Sequence, residues 1–274
     1  MKQKLSAIGP LENGSSEAQS HVSIAPGAVL PPFESEPFSS SSGSELTAGI
    51  LNALRTYGYA YITRPLSLAA FERTSQNLGR IELKTDIKID PEQLQRQVQN
   101  RVTGGRPSTY QAQELDFHSD NPEMNVLAWY CLKQDLLEGA IYLLDTDTVA
   151  KRLSQDELAI LTTTKVMYSN KLNKADQEQL LTEPLLTKIG SGYRVYYQSW
   201  LLLDTYNEEQ RAVLKRFSDC IRDLEKTSRI GVRLAEQQSL FIDNRRMLHG
   251  RGPLPENSHR HLVRFFIRTP DLRS

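Results

Sequence analysis

Short apolar runs with a two-residue period, closed by turn residues and seldom joined by helix-length segments, most limit the folds open to this chain. Residues 59–63, 125–132, 140–144, 192–198, 239–242 and 261–268 read as strands. In the last of these, alternation puts Arg260, Leu262, Arg264, Phe266 and Arg268 on one face and His261, Val263, Phe265 and Ile267 on the other. Helical spacing is confined to four segments. Leu46, Ile50, Leu51 and Leu54 are in phase over residues 46–57, and residues 67–78 end at Gly79. Residues 154–163 open with Ser154 and Glu157 in capping-box spacing, and residues 207–226 align Val213, Leu214, Phe217, Ile221 and Leu224. Helices therefore cluster early and late around many short strands, with no regular β-α-β alternation. That pattern predicts an α+β domain centred on a β-sandwich or barrel. A glycine-rich phosphate loop and a GxSxG elbow are both missing from the sequence.

Composition bounds the organisation. Residues 1–43 are rich in Ser, Pro and Gly and bury too little apolar surface to offset chain entropy, so a flexible or surface-lying N-terminal arm is expected there. Residues 44–274 are expected to form a single domain. Lys plus Arg and Asp plus Glu both number 33, which removes the long-range field that draws a protein to nucleic acid or an anionic membrane, and neither partner is expected. Two cysteines, Cys131 and Cys220, speak against a disulfide scaffold, and no apolar run reaches the roughly 18 residues of a membrane span. A cytoplasmic location is the expectation, with the oligomeric state open. Residues 80–114 are polar, with a turn at residues 104–107, and read as a loop or lid.

Three segments carry chemistry. His118 and Asp120 are two apart, so in an extended segment an imidazole and a carboxylate point the same way and can take adjacent positions on one metal. His249 precedes Gly250 in a segment following a short strand, placed to project a ring from a strand end. The arginines at 260, 264 and 268 interrupt an apolar strand, and any that face inward need an anionic partner. A dicarboxylic cofactor would supply one, because guanidinium grips carboxylate through two parallel hydrogen bonds. Two histidines and one carboxylate form the facial set of non-haem iron(II) oxygenases, which leaves three coordination positions open.

With those residues in that order, the chain resembles the 2-oxoglutarate-dependent oxygenases of the taurine dioxygenase and clavaminate synthase type. The resemblance rests on His118-x-Asp120, on His249, 129 positions past Asp120, and on Arg260 and Arg264, 11 and 15 residues beyond His249. The stretch from Asp243-Asn244-Arg245 to His249-Gly250-Arg251 is similar to that family's distal motif, and residues 58–79 to its usual opening. The resemblance implies a double-stranded β-helix (jelly roll) flanked by helices. It also implies iron(II) held by His118, Asp120 and His249, with 2-oxoglutarate and O2 as co-substrates. Arg260 would grip the distal carboxylate of 2-oxoglutarate, and Arg264 would assist it or bind an acidic group of the substrate. The implied activity is hydroxylation of a small molecule such as an amino acid or natural-product intermediate. An intact carboxylate at Asp120 points away from the related halogenases. Asn121 and Arg246 are further candidates for substrate contact.

The sequence departs from the family at one place. The family often has a threonine that also touches 2-oxoglutarate, where this chain reads Glu138-Gly139-Ala140-Ile141. Ile141 has no side-chain donor. Alternatives are a non-catalytic metal- and 2-oxoglutarate-binding sensor, the same chemistry on a carrier-bound or protein-bound residue, and a zinc hydrolase using the same three ligands.

Overall fold

The computed structural model describes residues 21–24, 43–89, 112–135, 138–169, 180–202, 205–270 and 272. In chain order the first elements are β1 (His21–Ile24), α1 (Gly43–Tyr57), β2 (Tyr59–Ile62), α2 (Leu68–Leu78) and β3 (Arg80–Lys88). Then come β4 (Leu115–His118), β5 (Val126–Lys133), β6 (Ile141–Asp145), α3 (Thr146–Ala150) and α4 (Gln155–Thr163). A pair β7 (Lys165–Ser169) and β8 (Leu180–Pro184) precedes a second pair, β9 (Leu186–Ile189) and β10 (Gly192–Val195). The chain closes with α5 (Glu208–Ser228), β11 (Ile230–Arg233), β12 (Ser239–Asp243), β13 (Met247–Arg251) and β14 (His261–Arg268).

Two five-stranded sheets form the body. One has the order β2-β12-β5-β14-β3 and the other β1-β11-β6-β13-β4, with antiparallel pairing throughout. The period-two pattern assigns each side chain to a layer. On β12, Leu240 and Ile242 point between the sheets while Phe241 points out. On β14, Leu262 and Phe266 join the inner layer, whereas Phe265 and Ile267 face α1 and α2. Phe71 of α2 is fully buried against the rings of Tyr130, Phe241 and Phe265, with centroids 4.9–5.6 Å away. Burial of each such ring contributes about 1.5–3 kcal/mol. The amphipathic α5 covers the outer face of the other sheet through Val213, Leu214, Phe217 and Leu224. The expected capping box of Ser154 with Glu157 is formed at α4, and the structure adds an equivalent one, not anticipated from the sequence, of Asn207 with Gln210 at α5. The expected α+β jelly roll is the fold observed.

Two segments differ from expectation. Residues 80–88 are β3, an edge strand along β14, instead of the start of a polar loop. An edge strand buries little, so its outward residues are charged and pair with neighbours, as Arg268 does with Glu82 at 2.9 Å. Residues 90–111, the rest of the expected lid, lie outside the described residues. Within the expected N-terminal arm, His21–Ile24 pairs with β11, and residues 1–20 and 25–42 lie outside the described residues. Among the described residues no helix is long and apolar enough to cross a membrane.

Candidate functional site

β4 and β13 are neighbours at one edge of the second sheet, with His118 directly opposite His249. The register shifts before Arg251, which pairs with Leu115, so β4 carries one extra residue. This bulge decides which side chains face inward. Leu115 and His118 both line the interior cavity, while Asp116 between them is exposed. Gly250 is needed for the close approach, because a Cβ there would lie 2.7 Å from the Leu115 carbonyl oxygen.

Asp120 follows β4 in a loop held from two directions. Ser119 exchanges hydrogen bonds with Tyr197, its N–H donating to the Tyr197 carbonyl and its Oγ accepting from the Tyr197 N–H, both at 2.9 Å. Asn244, buried in the turn between β12 and β13, accepts from the Asp120 N–H at 2.8 Å. Its amide nitrogen donates to the Met124 carbonyl at 2.8 Å. The distal motif thus fixes the loop that carries Asp120, 124 residues away in sequence.

The result is a cluster in which one donor atom each from His118, Asp120 and His249 lies within 4.8 Å of the others. The two imidazoles are buried, with ring centroids 4.3 Å apart. The His118 Nδ1–H donates to the Asp116 carbonyl at 2.8 Å, which leaves the Nε2 lone pair facing the cluster. His249 Nε2 is 3.6 Å from Asp120 Oδ2, too long for a hydrogen bond, and neither ring nitrogen of His249 has a hydrogen-bond partner among the described residues. Buried lone pairs without partners are costly unless a ligand uses them. Two imidazoles and one carboxylate converging on a point fit a divalent cation such as iron(II).

Electrostatics keep these groups in metal-binding form. Burial, with His249 alongside, lowers the His118 pKa from 6.5 to about 4, so the ring is neutral at physiological pH. For Asp120, burial alone would raise the pKa. The Arg264 guanidinium, whose Nη1 lies 3.0 Å from Oδ2, and His249 outweigh it and hold the carboxyl well below the usual range.

The depressed His118 pKa has a measurable consequence in metal-free protein. The unfolded chain binds the proton first as pH falls, so stability is complete above pH 6.5 and declines until about pH 4. The loss amounts to roughly 3 kcal/mol. Asp120 has its folded pKa depressed below 3.8, so its contribution is lost at lower pH and does not overlap that window. Urea denaturation with chelator present should show this decline between pH 7 and pH 4, and His118→Asn should lack it.

A cavity of about 390 Å³, its open mouth included, adjoins the cluster. Its wall is apolar at Ile87, Leu115, Trp129, Ile141 and Leu262 and cationic at Arg251, Arg260 and Arg264. Arg260 is buried, its Nε has no hydrogen-bond partner among the described residues, and burial lowers its pKa to about 9. Gly139, at φ +86°, leaves the room that its stem occupies, since a Cβ there would lie 2.8 Å from Arg260 Cδ. A buried guanidinium whose Nε lacks a partner among the described residues, beside an apolar wall, fits the carboxylate of a dicarboxylic co-substrate.

His118, Asp120, His249, Arg260 and Arg264 are thus brought together. Asn121 and Arg246 are not part of the cavity wall. The Asn121 side chain accepts from the Glu123 N–H at 2.8 Å, closing a turn. Arg246 is tied to Asp145 at 2.7 Å and to the carbonyls ending α1, a structural anchor. Asn244 and Arg251 enter the sequence reading only as part of the distal motif, without a role, and Trp200, whose ring lies 5.3 Å from that of His118, does not enter it. A signal for Arg251 exists, because it is two residues past His249 on one strand.

Similarity to known proteins agrees with this geometry. The model of the family described as taurine catabolism dioxygenase TauD, TfdA family matches residues 26–266. Among curated proteins no sequence match reaches significance. The fold is similar to that of an asparagine oxygenase solved in complex with Fe(II), 2S,3S-3-hydroxyasparagine and succinate. The TM-score is 0.61 and the identity 15%, over 82% of this chain and 80% of that one. It is also similar to the non-heme iron oxygenase OrfP solved with Fe and alpha-ketoglutaric acid. There the TM-score is 0.60 and the identity 15%, over 83% of this chain and 82% of that one. Because the family match runs from residue 26 to residue 266, most of the chain and the whole cluster included, the chain belongs to the TauD/TfdA family of dioxygenases.

Proposed function

We propose that the protein is an iron(II)- and 2-oxoglutarate-dependent oxygenase that hydroxylates a C–H bond of a small polar substrate, an amino acid or an amino-acid-derived intermediate. The observation that carries this reading is one cavity shared by the His118–Asp120–His249 cluster and the buried Arg260 guanidinium. In this reading the three side chains hold iron(II) from one side and leave adjacent positions for 2-oxoglutarate and O2. When bound, iron and 2-oxoglutarate supply the oxidising chemistry, coupling reduction of O2 to decarboxylation to succinate and oxidation of the substrate.

The chain's own groups do the rest. His118 stays neutral and its ring is aimed by the Asp116 carbonyl. Asp120 stays ionised because Arg264 is paired with it. Arg260 orients 2-oxoglutarate by its distal carboxylate, and the apolar wall limits water beside the metal. Arg264, on the same face of β14, also offers a guanidinium to an acidic group of the substrate. The similar structures support an amino-acid substrate, since they hold hydroxyasparagine and, in OrfP, (3S)-hydroxy-L-Arg.

A panel of free amino acids, assayed for succinate formation with iron(II), 2-oxoglutarate and O2, tests the substrate class. At least one should raise succinate formation above the substrate-free rate and gain one oxygen atom. Turnover restricted to carrier-bound or peptide-bound residues would replace that class. Binding without any turnover would favour a sensor.

A further inference from the structure

We propose that Arg251 is a second guanidinium clamp on the carboxylate that Arg260 grips, in place of the hydroxyl that Ile141 lacks. This inference rests on the proposed 2-oxoglutarate site. Arg251 is two residues past His249 on β13, so it shares the inward face of that strand, and it is buried in the wall of the same cavity. The bulge opposite it puts apolar Leu115, not Asp116, beside it. Its Nη2 donates to the Gln113 carbonyl, which orients the guanidinium plane.

Among the described residues, the polar groups in the cavity wall are the two histidines, the three arginines and the Trp129 indole. Arg264 is paired with Asp120, and Ile141 offers no donor. Arg251 and Arg260 stand close enough for their like charges to repel. Two buried cations sharing an apolar cavity are an unfavourable arrangement that a carboxylate between them relieves. A carboxylate has about four lone-pair sites, and a single guanidinium fork fills only two. A second fork completes the set and discriminates 2-oxoglutarate from 2-oxo acids that end in a methyl group.

The test measures binding, not turnover, on full-length protein loaded with Mn(II). Titration calorimetry compares 2-oxoglutarate with 2-oxobutyrate, which has the chelating end but no distal carboxylate. Arg251→Gln should weaken 2-oxoglutarate about 10-fold to 100-fold, as loss of charge-assisted hydrogen bonds does. It should leave 2-oxobutyrate within about twofold of wild type, because that ligand never meets the clamp. Arg251→Lys, which keeps the charge without the fork, should fall between, and it decides the matter if the Gln variant does not fold. Equal weakening of both ligands would assign Arg251 a structural role, and unchanged 2-oxoglutarate affinity would also overturn the clamp. Arg260→Gln separates the two levels of inference. If it too leaves 2-oxoglutarate binding intact, the co-substrate site itself is misplaced; if it abolishes binding while Arg251→Gln does not, only the clamp fails.

Discussion

Asp120→Ala should lower metal affinity by roughly 1,000-fold and reduce succinate formation to background. The size of the effect comes from two losses at one position. The substitution removes the only anion among the three ligand side chains. It also unmasks Arg264, whose guanidinium is 3.0 Å from the Asp120 carboxylate and largely buried. The dication would then face an uncompensated positive charge. A unit charge about 4 Å away contributes about 4 kcal/mol at an effective dielectric of 20, which is about three orders of magnitude in affinity. If that second loss is real, combining Asp120→Ala with Arg264→Gln should recover part of the metal affinity, so the pair is non-additive. Calorimetric titration of Mn(II) into the single and double variants measures this. Additive losses would mean that Arg264 has no electrostatic hold on the metal site.

Arg260→Gln should separate stability from function. Arg260 is buried, its Nε has no partner among the described residues and burial pushes its pKa down, so the ligand-free protein bears the desolvation cost of this charge. Replacement by a neutral side chain should stabilise ligand-free protein by about 1–3 kcal/mol. The same change should weaken 2-oxoglutarate binding by about 100-fold, since a bidentate charge-assisted pair is lost. Thermal unfolding with and without 2-oxoglutarate reads both effects. Wild type should gain stability on ligand addition, and the variant should start higher and gain little. A variant that is less stable without ligand would show that Arg260 has an internal partner that supports the fold.

How far these features were legible depended on whether their signal was local. The alternation on β14 names its inward arginines because an inner strand has one face between the sheets and one against the helices. The Ser154 cap is read from residues three apart. The β3 strand was not legible, because an edge strand leaves much of its surface in water and so carries polar residues that read as loop. The β13 strand follows a tight Asp243–Arg246 turn and contains Arg, His and Gly, so its inward face was not recognised and Arg251 went without a role. Asn244 was invisible for another reason. Its partners are backbone groups at residues 120–124, and nothing in either segment encodes the pairing. Asn121 and Arg246 show the converse, since closeness in sequence to Asp120 and His249 did not put their side chains at the metal cluster.

The most direct test of the iron and 2-oxoglutarate reading is optical. Wild-type protein is mixed anaerobically with iron(II), 2-oxoglutarate is added, and the visible spectrum is recorded. A weak charge-transfer band that saturates near one equivalent of 2-oxoglutarate is expected, because only chelation of iron through the 2-oxo and C1 carboxylate oxygens produces it. Folded protein that binds iron(II) but develops no band at saturating 2-oxoglutarate would contradict the assignment and leave the cluster as a metal site of another kind.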